Sequence, residues 1–434
     1  MLSWSCNQPP EQQQKDQLPQ KKITVEDVEK GIRAKIAEKT EEGDGYFNFT
    51  NDSLRLSLKL VRVHTEYLSV LGPNEFFACV DLATESGDVY DVDFFLSGQP
   101  GKMEVSSTVV HKLNGRPYYT WKQADDKTWY TVPVKNATKE LLGVVEGEDE
   151  FSFSYKIELP EIESPAQIWI PLAQSDRWQE VEIKHISAPV KEQRARDQKN
   201  GNEILYLQLK PHNSGQSIEI TYKVRRKEKS TYNDPTADTL QYLGETAFLP
   251  INERFMQIAD SVFEEKKAKT DLTKARALYD YVIDNMRYAK QGTYGTGDAT
   301  YACDSKSGNC TEFHSLFISL ARSAGIPARF AVGAAIPSER DEGGVNGYHC
   351  WAEFYANGKW WPVDISEANK YSALATYYFG HHPANRIELS KGRNIKPDPS
   401  PRSGPINFLA YPVLEIDGKI ESVKTQFSFS RPSL

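Results

Sequence analysis

Cysteine is scarce in this chain, with five among 434 residues: Cys6, Cys79, Cys303, Cys310 and Cys350. The count is odd and the spacing is no disulfide framework, so at least one thiol stays unpaired if the others pair. No apolar run approaches the roughly 20 residues of a membrane span. Basic charge is in deficit, 52 Lys and Arg against 60 Asp and Glu for a net −8. No basic block interleaves with aromatics, which argues against nucleic-acid binding. No internal repeat is visible. No basic segment followed by an apolar one opens the chain, so a complete signal peptide is absent. What is abundant is aromatic: 22 Tyr, 19 Phe and 8 Trp in a sequence 39% hydrophobic and 26% charged. That composition is globular and β-rich. The length is too great for one core, and about three domains of roughly 100–200 residues are expected.

Residues 1–22 are rich in Gln, Pro and Lys without periodicity and read as a disordered tether. Cys6 followed by a polar spacer is similar to the start of a lipid-anchored envelope protein, although Ser3-Trp4-Ser5 is a poor modification signal. The reading is a possible lipid anchor at Cys6 and an extracytoplasmic, cell-envelope location, with a soluble cytoplasmic protein as the alternative. Residues 23–135 begin with a helix: Val25, Val28, Ile32 and Ile36 recur at helical spacing, and Thr24 with Asp27 forms a capping-box pattern. Four or five alternating strands follow, which suggests a small α+β domain of cystatin-like or NTF2-like order. Residues 136–228 contain strands only, in the pattern of a β-sandwich. From 229 to 434 helices dominate, and this stretch reads as a catalytic domain closed by C-terminal strands.

The stretch "SGNCTEFHSLFISLARSAGIPARF" (307–330) carries the first chemical signal. Phe313, Leu316, Phe317, Leu320 and Ala324 follow helical spacing, and Gly325 with Pro327 ends the helix. Asn309 is a favoured cap, so Cys310 falls in the first turn. A thiol there feels the positive end of the helix dipole, which favours thiolate. Taken alone, a small apolar residue filling a core explains Cys310 as well.

"GYHCWAEFYANGKWWPVDIS" (347–366) supplies the second signal. Asn357-Gly358 between alternating apolar residues marks a two-residue hairpin. That turn puts Cys350, Ala352, Phe354, Trp361 and Val363 on an apolar face. His349, Trp351, Glu353 and Asp364 share the other. His349 and Asp364 are then one diagonal step apart, within side-chain reach. Cysteine, histidine and aspartate are a nucleophile, a base and its orienter.

"GNCTEFHSLFISLARSAGIPARFAVG" and "HCWAEFYANGKWWPVDIS" resemble the nucleophile and histidine segments of the transglutaminase-like superfamily, in its bacterial members. The resemblance spans about 140–420 and leaves the first domain uncovered. It implies a papain/transglutaminase-like α+β core, with a helix bearing the cysteine packed on an antiparallel sheet. Residue by residue, it makes Cys310 the nucleophile, His349 the base and Asp364 the orienting acid. Tyr348 and Trp351 beside them are expected to bind substrate. The chemistry implied is acyl transfer on a protein or peptide amide through a thioester, with peptidase-like hydrolysis favoured over transamidation. The Cys310 backbone N–H is one expected oxyanion donor; Tyr294 and Tyr301 are positional candidates for a second.

Other readings weigh less. Cys303, Cys310, His314 and His349 could ligate zinc, but no compact ligand spacing appears and Asp364 would be idle. His314 reads as a cleft neighbour or a satisfied helix residue, Cys303 as a loop thiol, Cys350 as core, and His381-His382 as surface. "DEGG" (341–344) is too short for a calcium site and reads as a lid loop. No metal or cofactor is expected. A catalytically silent peptide-binding module is the non-enzymatic alternative.

Overall fold

The computed structural model describes residues 23–51, 54–64, 69–72, 75–124, 129–289 and 294–432. The tether and Cys6, with the anchor expected there, lie outside them. No helix among the described residues is long and apolar enough to cross a membrane. The architecture is α+β and rich in sheet.

Helix α1 (Val25–Glu42) begins at the capping box of Thr24 and Asp27, an arrangement of about 1 kcal/mol. Its buried stripe, Val28, Ile32 and Ile36, packs on a seven-stranded antiparallel sheet. Alternation along the central strands sorts the side chains. Ala78, Val80, Leu82, Val92 and Phe94 join the core under α1. Cys79, Asp81, Asp91 and Asp93 point the opposite way, since successive strand residues face opposite sides.

The second domain is a sandwich. One sheet holds Glu148–Glu158, Gln179–Ser187 and Ser217–Lys227; the other holds Ala166–Leu172, Gln193–Asp197 and Asn202–Leu209. Its membership corrects the expected boundary at 229. Val413–Ile416 and Lys419–Glu421 extend the second sheet beside Ala166–Leu172. Lys424–Ser430 pairs with Glu148–Glu158 on one side and with Glu342–Val345 on the other. The "DEGG" segment is therefore largely edge strand and not a lid loop. The physical reason is that Phe427 and Phe429 are buried and alternate with exposed neighbours. Such a strand needs a sheet with a free edge, and the sandwich offers one.

The third domain contains α2 (Glu253–Lys266), α3 (Asp271–Asn285), α4 (Ala299–Ser305), α5 (Cys310–Ser323) and α6 (Ile365–Lys370). A loop is expected from sequence where α4 stands; Asp298 caps that helix and Cys303 is buried within it. Helix α5 is buried on every side from Cys310 to Arg322. It packs between α2, α3 and a four-stranded antiparallel sheet ordered Lys359–Val363, His349–Ala356, Ala328–Ala335, Arg386–Lys391. The inner face of the sheet, with Cys350, Ala352, Phe354 and Val363, joins the core around α5.

The outer face is closed by residues 226–232, at and just past the end of the sandwich. Arg226 lies over the Trp351 ring at 5.9 Å. Glu353 takes Lys229 at 2.5 Å, Arg329 at 2.6 Å and the Tyr232 hydroxyl at 3.1 Å. A buried carboxylate needs such partners, and removing one of a buried pair costs about 3–5 kcal/mol.

Candidate active site

Three local features place Cys310. Asn309 caps α5 and accepts from the Thr311 N–H at 2.8 Å. Glu312 closes a capping box by accepting from the Asn309 N–H at 3.0 Å. Gly308 allows the approach, because a Cβ there would stand 2.4 Å from the Glu312 Cβ. The same Glu312 also accepts from the Gly295 and Gly297 N–H groups at 2.9 and 2.7 Å. One carboxylate thus ties the loop before α4 to the start of α5. Cys310, the first residue of α5, keeps one of the N–H groups that lack an intrahelical partner.

The hairpin has the register its turn demands. Ala356 pairs with Lys359 and Ala352 with Val363 around Asn357 and Gly358, whose φ values are 52° and 75°. One residue further, Asp364 leaves the strand and caps α6. Its Oδ2 accepts from His349 Nε2 at 2.7 Å and from Arg386 at 2.6 Å. Its Oδ1 accepts from the Ser366 hydroxyl and the Glu367 N–H, both at 3.1 Å. Asp364 is wholly buried, with every oxygen engaged. With Nε2 committed to Asp364, the Nδ1 of His349 is left to bond Cys310.

Electrostatics follow from these contacts. A hydrogen bond with Cys350 and, against the opposing effect of burial, one with His349 hold the Cys310 thiol well below its usual value. Burial alone would lower His349, but Asp364 outweighs it and lifts the imidazole to about 10. Burial would raise Asp364, but His349 and Arg386 hold its carboxyl well below the usual range. These directions favour a thiolate–imidazolium pair braced by a carboxylate, an arrangement suited to nucleophilic attack by sulfur and proton donation by the ring.

His314 is not part of that exchange. It is fully buried; its Nε2 accepts from the Ile365 N–H at 3.0 Å, so its Nδ1 carries the proton donated to the Cys310 carbonyl at 2.7 Å. Burial lowers its pKa, and it stays neutral, pinning α5 to α6.

Tyr348 lines the cavity beside Cys310 and receives a bond from Asn309 at 3.3 Å. Trp351 does not line it. Trp351 is wholly buried beneath His349, with ring centroids 6.1 Å apart and Arg386 against its other contacts at 5.1 Å. The expected substrate contact is corrected: packing by the sandwich domain closes the sheet face on which Trp351 sits. His382 is likewise buried, donating to the Val363 carbonyl at 3.1 Å, and is no surface residue. Of the two positional candidates for an oxyanion donor, Tyr294 lines the cavity and Tyr301 does not; Tyr288, which sequence reasoning did not single out, also lines it, and its hydroxyl is raised by burial and then by the charge on Cys310.

The cavity measures about 1150 Å³ and lies where all three domains meet. Cys310, His349 and Tyr348 come from the core, Trp121 and His111 from the first domain, and Phe427 from the sandwich. Cys310 itself is only 3% exposed. Sequence reasoning missed Glu312, although Asn309-x-x-Glu312 is a capping-box pattern. It also missed Arg386 and the contact of Cys350 with Cys310, which have no local signature.

Residues 257–365 match the family model described as the transglutaminase-like superfamily. The matched stretch contains Cys310, His349 and Asp364, and it is a transglutaminase-like core. An uncharacterised protein of Haemophilus influenzae is 25% identical over 323 residues, which are 62% of this chain and 86% of that protein. A solved structure described as a "putative cysteine protease" from Cytophaga hutchinsonii is 16% identical, covering 67% of this chain and 93% of its own, with a TM-score of 0.45. The periplasmic domain of TgpA from Pseudomonas aeruginosa is 15% identical, covering 60% and 85%, with a TM-score of 0.28.

Proposed function

We propose that this transglutaminase-like core is a cysteine-dependent enzyme that hydrolyses peptide amides through a thioester. The observation that carries the reading is the Cys310–His349–Asp364 arrangement at the N-terminus of a buried helix. The Cys310 thiolate forms a C–S bond with the substrate carbonyl. The Cys310 backbone N–H, with Tyr288 or Tyr294, receives the oxyanion. His349 passes its Nδ1 proton to the departing amine as the C–N bond breaks, which leaves the acyl group on sulfur. Water then adds to the thioester, His349 takes its proton, and the acid departs. Asp364 fixes the His349 ring throughout and is paired in turn by Arg386. The near-complete burial of Cys310 in the wall of a cavity bounded by three domains favours an extended peptide segment over a folded surface.

The test is iodoacetamide labelling at neutral pH on wild type, His349→Ala and Cys310→Ala, followed by cleavage assays on a mixed peptide library. Fast labelling that Cys310→Ala abolishes and His349→Ala slows, together with new amino termini in the library, is the expected result. Equally slow labelling in all three would sink the enzyme reading. Monodansylcadaverine incorporation without cleavage would replace hydrolysis by transamidation.

A further inference from the structure

The polar face of the first domain's sheet is built unlike a solvated surface. Cys79 stands directly opposite Asp93 in the strand register, and Asp81 opposite Asp91. On the next strand a bulge shifts the register between Asp91, which pairs with Lys112, and Val92, which pairs with Val110. His111 is the extra residue, and the bulge turns it toward the carboxylates, as bulges re-aim side chains. Ligand atoms of Cys79, Asp91, Asp93 and His111 lie within 4.8 Å of one another.

The hydrogen bonds around this cluster leave a definite gap. His111 Nε2 donates to the Tyr119 carbonyl at 2.8 Å, which turns Nδ1 toward the cluster. A ring held in this way by a backbone carbonyl is the usual posture of a metal-ligating histidine. The His111 side chain is 8% exposed, and its Nδ1 has no hydrogen-bond partner. It stands 3.5 Å from Asp93 Oδ1. Two ligands at roughly 2.0–2.1 Å from one tetrahedral zinc are about 3.4 Å apart. Asp93 Oδ2 is already satisfied by the Tyr119 hydroxyl at 2.9 Å and the Trp121 N–H at 2.8 Å, which aims Oδ1 at the gap. Asp91 repeats the pattern: Oδ2 takes Lys112 at 2.8 Å, while Oδ1 is buried without a hydrogen bond. The Cys79 thiol donates to Asp93 Oδ1 at 2.7 Å. A divalent ion bound here would take the place of that thiol proton, with the sulfur moving outward to its bonding distance.

We propose that Cys79, Asp91, Asp93 and His111 form a binding site for one divalent transition-metal ion of the zinc class. A set with one sulfur, one nitrogen and two carboxylate oxygens suits zinc or cobalt, and the sulfur disfavours magnesium and calcium. The site ties three strands together. Two of its members, Cys79 and His111, line the cavity that Cys310 and His349 line from the other side. No spacing in the sequence marks it, because the ligands come from three strands brought together by register.

The test uses the full chain, stripped with a chelator and equilibrated with zinc alone or cobalt alone. Bound metal is measured by mass spectrometry, and thiolate-to-cobalt absorption by spectroscopy. Wild type and Cys310→Ala should each hold one ion per chain and show the absorption band. Cys79→Ser should lose the band, and both Cys79→Ser and His111→Ala should bind zinc at least roughly tenfold more weakly. Zinc should raise the melting temperature of Cys310→Ala but not of Cys79→Ser, which separates loss of the site from loss of the fold. Failure of the folded wild type to hold zinc at micromolar free metal would overturn the proposal. So would an ion kept by Cys79→Ser and His111→Ala but lost on Cys310→Ala, which would place it at the nucleophile.

Discussion

At the residue scale, the charge on Cys310 depends first on a neighbour that alternation alone assigns to packing. Cys350 faces the core, and its thiol is the largest influence holding Cys310 low. Cys350→Ala should therefore move the midpoint of iodoacetamide labelling to higher pH while leaving the labelled residue unchanged. A midpoint that stays put would remove Cys350 from this role. His349 gives a second expectation, with its sign set by the direction of the shift. Its ordinary value is 6.5 and its value in the fold is about 10. The pairing with Asp364 is thus fully present below 6.5 and is lost as pH rises through about 10. Asp364→Asn keeps a favourable cap for α6 but removes the charge. The alkaline limit of activity should fall from near 10 toward 6.5 in that variant, read from the rate of peptide hydrolysis against pH.

At the element scale, the start of α5 is held by Glu312, which accepts from three backbone N–H groups across two segments. Each group left unsatisfied costs about 1–3 kcal/mol. Glu312→Ala should slow labelling of Cys310 and expose residues 294–297 to limited proteolysis, whereas Glu312→Gln should retain part of both. Unchanged cleavage at that loop would deny Glu312 its tethering role. How much of this was legible differs by element. The hairpin register could be read from Asn357-Gly358 and simple alternation, and it delivers His349 and Asp364 to one place. The cap at Asn309 was legible for the same reason: it is local. Glu312 has a local half, the capping box, and a long-range half, the two glycine N–H groups. Only the first leaves a trace in sequence. The approach of Cys350 to Cys310 depends on how a helix lies across a sheet, which no period encodes.

At the scale of the whole molecule, the last strands decide which domains act together. The strand Lys424–Ser430 was not legible as sandwich, because its partner Glu148–Glu158 lies far back in the chain. Arg431 completes the join through Asp149 at 2.8 Å. Phe427 is buried in this strand, stands 4.7 Å from the Tyr155 ring and 5.7 Å from the Tyr411 ring, and borders the cavity. Tyr411 in turn accepts the Tyr348 N–H at 3.2 Å, next to His349. A single side chain thus links the sandwich core to the wall of the candidate site. Phe427→Ala removes a buried aromatic, a change of about 3–5 kcal/mol. The expected outcome is a lower melting temperature together with a raised KM for peptide and a kcat close to wild type, since the cavity wall moves while the Cys310–His349–Asp364 contacts remain. A lowered melting temperature with unaltered KM would mean that the sandwich supports the core without shaping the cavity. A loss of kcat alone would mean that the strand positions the reacting groups themselves.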